Sequence, residues 1–312
     1  MRVALAPAAK AHLQIHFCVV LWGFTAILGK LITLAALPLV WWRMLLVVVV
    51  LAMLPPVWRG LRAMSWRLIG AYAGIGVLVS LHWLTFYAAI KLANASVGAT
   101  CMAIAPVFLA MVEPWLAARR FEPRELLLAI GIVPGVAMVV GGIPTDMRMG
   151  FAVGVLSAMF VAVFGALNKR MVERADPLTV TAIELGAGTA FLTVLAPLVP
   201  HVGSAFVVPS LHDVGLLLIL SMVCTLLPFA LALRALRHVS AFAMQIATNL
   251  EPVYAIVLAI VLLGEQQQLG ALFYAGVVIV LGAVLVHPLL SRRGTQLPPA
   301  DVLGTAESHS LE

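Results

Sequence analysis

The carboxylates are the residues of this chain whose positions most need explaining. No Asp or Glu precedes Glu113, and the acids inside long apolar stretches reduce to Glu113, Glu184 and Glu251. Glu251 stands in Ser240 to Leu263, SAFAMQIATNLEPVYAIVLAIVLL, a run long enough to cross a hydrocarbon layer of about 30 Å. A carboxylate at the middle of such a run is expensive and marks a functional position by default. Pro252 follows at once and has no N–H, so the carbonyl of Thr248 loses its helical partner and becomes a bare acceptor beside the acid. At about 100° per residue, Gln245, Thr248, Asn249 and Pro252 share one face, whereas Glu251 sits with Met244, Tyr254 and Ala255 on another, with Thr248 between. So broad a polar arc must face neighbouring helices or a wet cavity rather than lipid. Glu251 is then placed to couple to a proton and Pro252 to act as a hinge; the structural alternative is a buried Glu paired with an Arg.

The basic or titratable partners at depth are Lys30, Arg43, His82 and Lys91. Acid and base together suit a zwitterion or weak acid whose carboxylate meets Lys30 or Arg43, with Glu251 left for an amine or a proton. Snorkelling of Lys30 and Arg43 toward a membrane surface is the competing reading, since both lie near the ends of apolar runs. In the third apolar run His82 and Phe86 fall one turn apart, as do Trp83 and Tyr87, an aromatic stripe that could wall a cavity or serve only packing. His82 is either a proton relay or a neutral ring bonded to a neighbouring helix. The expected cavity lining is completed by Trp22, Tyr87, Gln245, Asn249 and Tyr254. Glu113, followed by Pro114, is the candidate gate, with Arg119 or Arg120 as its partner, and Glu184 is placed to neutralise Lys169 or Arg170.

Catalytic chemistry has little to build on. Cys18, Cys101 and Cys224 all fall inside apolar runs without a CxxC spacing, so neither a disulfide framework nor a metal site is expected. There is no GxSxG, HExxH or ATP-binding motif, and His82 has no motif partner. Neither an enzyme nor a bound cofactor is expected.

The elements that must carry these residues follow from composition. Of 312 residues, 63% are apolar and 10% charged, with mean hydropathy +1.11, which places the chain among all-α, polytopic membrane proteins. The formal charge of +6 comes from short clusters between apolar runs, so nucleic acid is not an expected partner. Ten apolar segments can be cut at charged or Pro-rich breaks. They are Leu13 to Leu34, Leu39 to Leu54, Trp66 to Ile90, Ser96 to Leu116 and Arg124 to Val140; then Gly150 to Leu167, Leu178 to Leu198, Val214 to Leu233, Ser240 to Leu263 and Leu269 to Val286.

One alternate set of loops holds most of the Lys and Arg, and the other only Lys30, Lys91 and Arg148. That bias puts both termini in the cytoplasm and requires an even number of spans. The halves repeat each other: Lys30 and Pro38 recur as Lys169 and Pro177, Ser96 as Ser240, Ala105-Pro106 as Glu251-Pro252, and Gly131 as Gly276. Five spans per repeat is odd, so residues 150–288 should sit upside down relative to residues 1–140, with a binding site near the midplane where the repeats meet, at the Pro-interrupted fourth and ninth spans. The tail over 294–312 is polar and expected to be a disordered cytoplasmic segment.

WGFTAILGK (Trp22 to Lys30), WWR (Trp41 to Arg43), SVGATCMAIAP and LEPVYAIVLAIVLLGE resemble the EamA-type branch of the drug/metabolite transporter superfamily over nearly the whole chain. The resemblance implies ten helices in two inverted five-helix repeats, cytoplasmic termini and a central cavity lined mainly by the first, third, fourth, sixth, eighth and ninth helices. The family's Gly-Glu after the ninth span is present as Gly264-Glu265; its counterpart after the fourth is replaced by Ala118-Arg119. The related four-span exporters bind organic cations through a carboxylate in their first helix, and neither the first nor the sixth span here contains one. The resemblance therefore implies a secondary transporter of the cell membrane that moves a small polar or amphipathic metabolite, such as an amino acid, by alternating access with possible proton coupling. An anion or phosphorylated-metabolite exchanger using Lys30 and Arg43 is the alternative within transport, and a non-transporting membrane scaffold the alternative outside it. Expected partners are the small-molecule substrate and the lipid bilayer, with the protein a monomer or homodimer.

Overall fold

The computed structural model describes residues 7–116, 123–171, 174–198, 206–235 and 247–291. The tail over 294–312, the Arg119 and Arg120 partners suggested for Glu113, and Gln245 lie outside the described residues, as does the side chain of Glu113. All regular structure among the described residues is helical, the form that satisfies its own backbone polar groups where water is absent.

Among the described residues the α-helices are α1 Pro7–Leu31, α2 Ala36–Ala52, α3 Pro55–Ala63, α4 Trp66–Leu92, α5 Ala95–Met102, α6 Ala105–Leu116, α7 Pro123–Gly142, α8 Arg148–Met171, α9 Pro177–Leu195, α10 Leu211–Leu218, α11 Leu227–Ala235, α12 Glu251–Leu263 and α13 Ala271–Ser291. Between α10 and α11 the chain is π-helical over Ile219–Leu226. Helix starts follow local chemistry. Ser65, Asn94, Asp176 and Ser210 each turn a side-chain oxygen to a free backbone N–H of the first turn. Gly264, at φ 67°, closes α12 in the left-handed conformation that a side chain would strain.

Among the described residues six helical stretches are long and apolar enough to cross a membrane, and seven if α2 and α3, bent by 88°, count as one span. Shorter apolar stretches occur at Gly131–Gly142, Glu251–Leu263 and Ala271–Ala283. Length and composition thus establish fewer spans than the expected ten. The bend at α3 is not foreshadowed by hydropathy: Pro55 starts a helix that buries Val57 and leaves Trp58, Arg59 and Arg62 exposed, an amphipathic pattern suited to an interface.

The helix contacts have a regularity of their own. α4 packs on α8 and α9, and in the other half α11 packs on α1 while the π segment packs on α2. α6 lies on α8 as α12 lies on α1, and the pairs α5 with α12, α2 with α9, and α7 with α13 complete the set. Exchanging the halves maps these pairs onto one another, as a two-fold relation requires, except α5 with α12, whose image falls outside the described residues. Two crossings need glycine. A Cβ at Gly188 would stand 2.8 Å from the carbonyl oxygen of Gly76 on α4, and one at Gly135 of α7 would stand 3.0 Å from that of Gly276 on α13. The latter contact uses Gly135 rather than Gly131, which has no neighbour within 4 Å.

Candidate functional site

The site is organised by two proline-linked breaks. In the first half the chain leaves α5 at Met102, makes three-residue turns through Ala103 and Ile104, and re-enters a helix at Ala105. In the second half a turn at Asn249 and Leu250 leads into α12 at Glu251. Pro106 and Pro252 stand second in the new helices, where a missing N–H is harmless. Glu251 is therefore the first residue of a helix, where free N–H groups and the helix dipole favour negative charge. Ala105, its counterpart, offers none.

Glu251 is half-buried and looks into a cavity of about 230 Å³. Trp22 and Thr25 come from α1, Arg43 from α2, and His82, Trp83 and Phe86 from α4. Met102 and Leu109 form the wall from α5 and α6; Phe164, Asn168 and Lys169 come from α8, Phe229 and Ala232 from α11, and Thr248 precedes α12. The charged side chains of this lining are Arg43, Lys169 and Glu251, so two cations face one acid.

Arg43 is the most elaborately held of these. It is only 3% exposed, which costs a guanidinium several kcal/mol of hydration. Its Nε donates to Thr225 Oγ1 at 2.7 Å and its Nη1 to Tyr87 Oη at 2.7 Å, while the guanidinium carbon lies 3.8 Å from the centroid of Trp83. Charged hydrogen bonds contribute about 1.5–3 kcal/mol each and a desolvated cation–π contact about 2 kcal/mol, enough to offset that cost. Thr225 owes its position to the π segment: its hydroxyl donates to Leu220 O, five residues back, at 2.6 Å, leaving lone pairs for Arg43. Such π segments concentrate at functional sites. Arg43 and Glu251 share the cavity and interact electrostatically across it, and a guanidinium has donors beyond the two used here.

His82 is tied across α4 and α8. Its Nδ1 lies 3.1 Å from Ser157 O and 2.8 Å from Ser157 Oγ, and Ser157 Oγ donates to His82 O at 2.8 Å. A carbonyl only accepts, so Nδ1 carries the proton, and in a neutral ring Nε2 is left as an acceptor. The His82 ring stacks on Phe86 at 6.1 Å between centroids and tilts toward Phe164 at 5.5 Å, and His82, Trp83 and Phe86 of the aromatic stripe line the cavity.

At the opposite end from Lys169 the two halves are bonded to each other. Glu265, 1% exposed, accepts from Ala95 N at 3.0 Å and Ser96 N at 2.8 Å, capping α5 from across the repeat boundary. Asn94 Nδ2 donates to Gln268 Oε1 at 3.2 Å. Asp213 accepts from Thr33 N at 2.8 Å and Thr33 Oγ1 at 2.5 Å. Within the first half at the same end, Lys30 donates to Ala93 O at 3.5 Å and Lys91 to Ile32 O.

Of the residues singled out from sequence, Trp22, Arg43, His82 and Glu251 line the cavity. Tyr87 stands behind it, fully buried, as an anchor of Arg43. Asn249 is buried at the break before α12 and Pro252 in the first turn of that helix, neither on the lining. Tyr254, three residues past Glu251, is 38% exposed on the outer face of α12. Lys30 is exposed and engaged in the closure at the far end, because α1 runs on well past the cavity before it stops. Thr225, Asn168 and Lys169 were not singled out for the cavity; Pro228, which must disturb the helix four or five residues before it, was the available signal for Thr225.

A helical bundle with this many apolar spans, broken helices and a charged internal cavity is a multi-pass membrane protein of the transporter type. The chain belongs to the EamA-like transporter family, whose model matches twice, over residues 9–141 and 148–287, placing it in the drug/metabolite transporter superfamily. The family unit is thus present once in each half. No protein among curated sequences matches the chain. One solved crystal structure, described only as that of a protein, superposes with a TM-score of 0.63 at 17% identity, over 91% of this chain and 98% of its own; the likeness is one of fold.

Proposed function

We propose that this protein is a secondary transporter of small zwitterionic or amphipathic metabolites such as amino acids. Arg43 receives the substrate carboxylate, Glu251 at the N-terminus of α12 receives the amine, and Trp22, Trp83 and Phe86 cover the apolar part. The observation that carries this reading is the facing of Arg43 and Glu251 across one aromatic-walled cavity. With no amine bound, Glu251 is also the cavity's proton acceptor. Phosphorylated metabolites have less support, because Lys30, one of the two cations that reading needs, lies outside the lining.

The transport unit in this proposal is ten spans in two inverted repeats, residues 1–140 and 150–288, in the cell membrane with both termini cytoplasmic. The six long stretches, the bent pair and the three shorter apolar stretches support that reading, as does the matched packing of the two halves. The two halves then rock about the cavity, with the Glu265 end closed in this conformation.

The test is ligand-induced thermal stabilisation of the purified protein by amphipathic amino acids, their deaminated acids and their esters. Wild type should prefer the zwitterion over either analogue by about ten- to a hundredfold, the worth of one charged hydrogen bond. In Glu251→Gln the preference over the deaminated acid should vanish. A Glu251→Gln protein that retains it, or a wild type that favours the esters, would overturn the assignment.

A further inference from the structure

We propose that Glu184 is a second proton-binding site, separate from the cavity and connected to it through Asn168. Glu184 lies on α9 with no exposed surface. Its Oε1 has no hydrogen-bond partner among the described residues, and Oε2 has one long contact, from Asn168 Nδ2 at 3.4 Å. A Cβ at Gly76 of α4 would run into the Glu184 backbone, so α4 lies directly over this residue and leaves no room for water on that side. A bare carboxylate so enclosed is far more costly than a neutral carboxyl, and the group neutralises by taking a proton.

No cation compensates it among the described residues. On α4 the facing titratable group is Tyr72, whose hydroxyl is committed to Met171 O at 2.8 Å. On α2, Arg43 is bonded to Thr225 and Tyr87. Arg59 and Arg62 on α3, Arg170 on α8 and Arg234 on α11 are exposed, and Lys169 turns into the cavity. No ion pair to Glu184 exists among the described residues.

Asn168 supplies the connection, being 6% exposed, on the cavity lining, and the donor to Glu184. An amide can serve both states of the acid: Nδ2 donates to the carboxylate, and after a half-turn Oδ1 accepts from the carboxyl. On release the carboxyl O–H bond breaks, its electron pair stays on oxygen, and the proton passes to a cavity water; uptake reverses this. The site thus reads the pH of whichever compartment the cavity faces.

The test needs no transported substrate, so its outcome is independent of the zwitterion assignment. Infrared difference spectra are recorded between acid and alkaline buffers on the full chain in lipid nanodiscs, in a Glu251→Gln background that removes the cavity carboxyl. A protonated-carboxyl carbonyl band is expected that disappears as pH rises, shifts in D₂O and is lost in Glu184→Gln. Asn168→Val should keep the band but slow its deuterium exchange at least about tenfold, since the amide is the only polar bridge among the described residues. If Glu184→Gln does not fold, Glu184→Asp should displace the band. An undiminished band in Glu184→Gln, an unmoved one in Glu184→Asp, or unchanged exchange in Asn168→Val would overturn the proposal.

Discussion

Replacing Thr225 by Val removes one oxygen and little else, and so tests how Arg43 is held. Val keeps the β-branched shape, while the Nε of a guanidinium that is 3% exposed loses its acceptor at 2.7 Å. The lost charged hydrogen bond is worth about 1.5–3 kcal/mol, and relief from burying a hydroxyl returns about 1 kcal/mol. The net destabilisation expected is about 0.5–2 kcal/mol, a factor of about 2–30 in the folded-to-unfolded ratio. Tyr87→Phe strips the other anchor, at Nη1, and should act in the same direction. Because both anchors hold one rigid guanidinium, the double variant should depart from additivity by at least about 0.5 kcal/mol. Reversible SDS unfolding of the four proteins in mixed micelles measures the cycle. Strict additivity together with a Thr225→Val loss below about 0.5 kcal/mol would refute the claim that the π segment positions Arg43.

Glu265→Ala leaves the Ala95 and Ser96 amides, now capped at 3.0 and 2.8 Å, without acceptors in a buried setting. It should cost about 3 kcal/mol in the same unfolding assay and raise the reactivity of a cysteine placed at Ser96 toward membrane-impermeant reagents added from that side; an unreactive, undiminished variant would count against the closure. Ser210 and Arg234 flank the segment running from α10 to α11 and are both exposed. Cysteines at these two positions should label from opposite faces of sealed cells, and labelling from one face would exclude a span there.

Legibility from sequence followed the physics of each feature. Each of the ten apolar segments falls on described helix, the ninth only in its second half, because hydrophobicity in lipid leaves the backbone hardly another choice. The breaks before Pro106 and Pro252 were legible for the same reason: a missing N–H is a local, covalent fact. What periodicity could not resolve was which of several similar side chains meets a neighbour. Lys30 and Arg43 are both cations near the ends of apolar runs, yet one crosses to Ala93 and the other points inward over Trp83. The π segment was hidden because its residues are as apolar as any α-helix, and only Pro228 hints at the changed register. Asn168 and Lys169 sit beside Arg170 in what reads as a topology signal, and only the packing of α8 against α4 turns them toward the interior.

The Glu265 cap has one more consequence. It clamps α5 through a carboxylate after α12, but the position that should return the favour after α6 is Ala118-Arg119, without an acid. In the proposed cycle, a latch residue carried by one half of the sequence and not by the other makes the resting states unequal. By the figure of about 3 kcal/mol given for the cap, the state with that end shut is favoured by roughly a hundredfold from this latch alone. In the transport cycle proposed above, an empty protein would then wait with its cavity toward Lys169, and opening the other way would be work that the bound cargo must supply. The asymmetry lies in a few residues between otherwise matching halves, so exchanging Ala118-Arg119 for Gly-Glu addresses the idle orientation of the protein without touching its binding site.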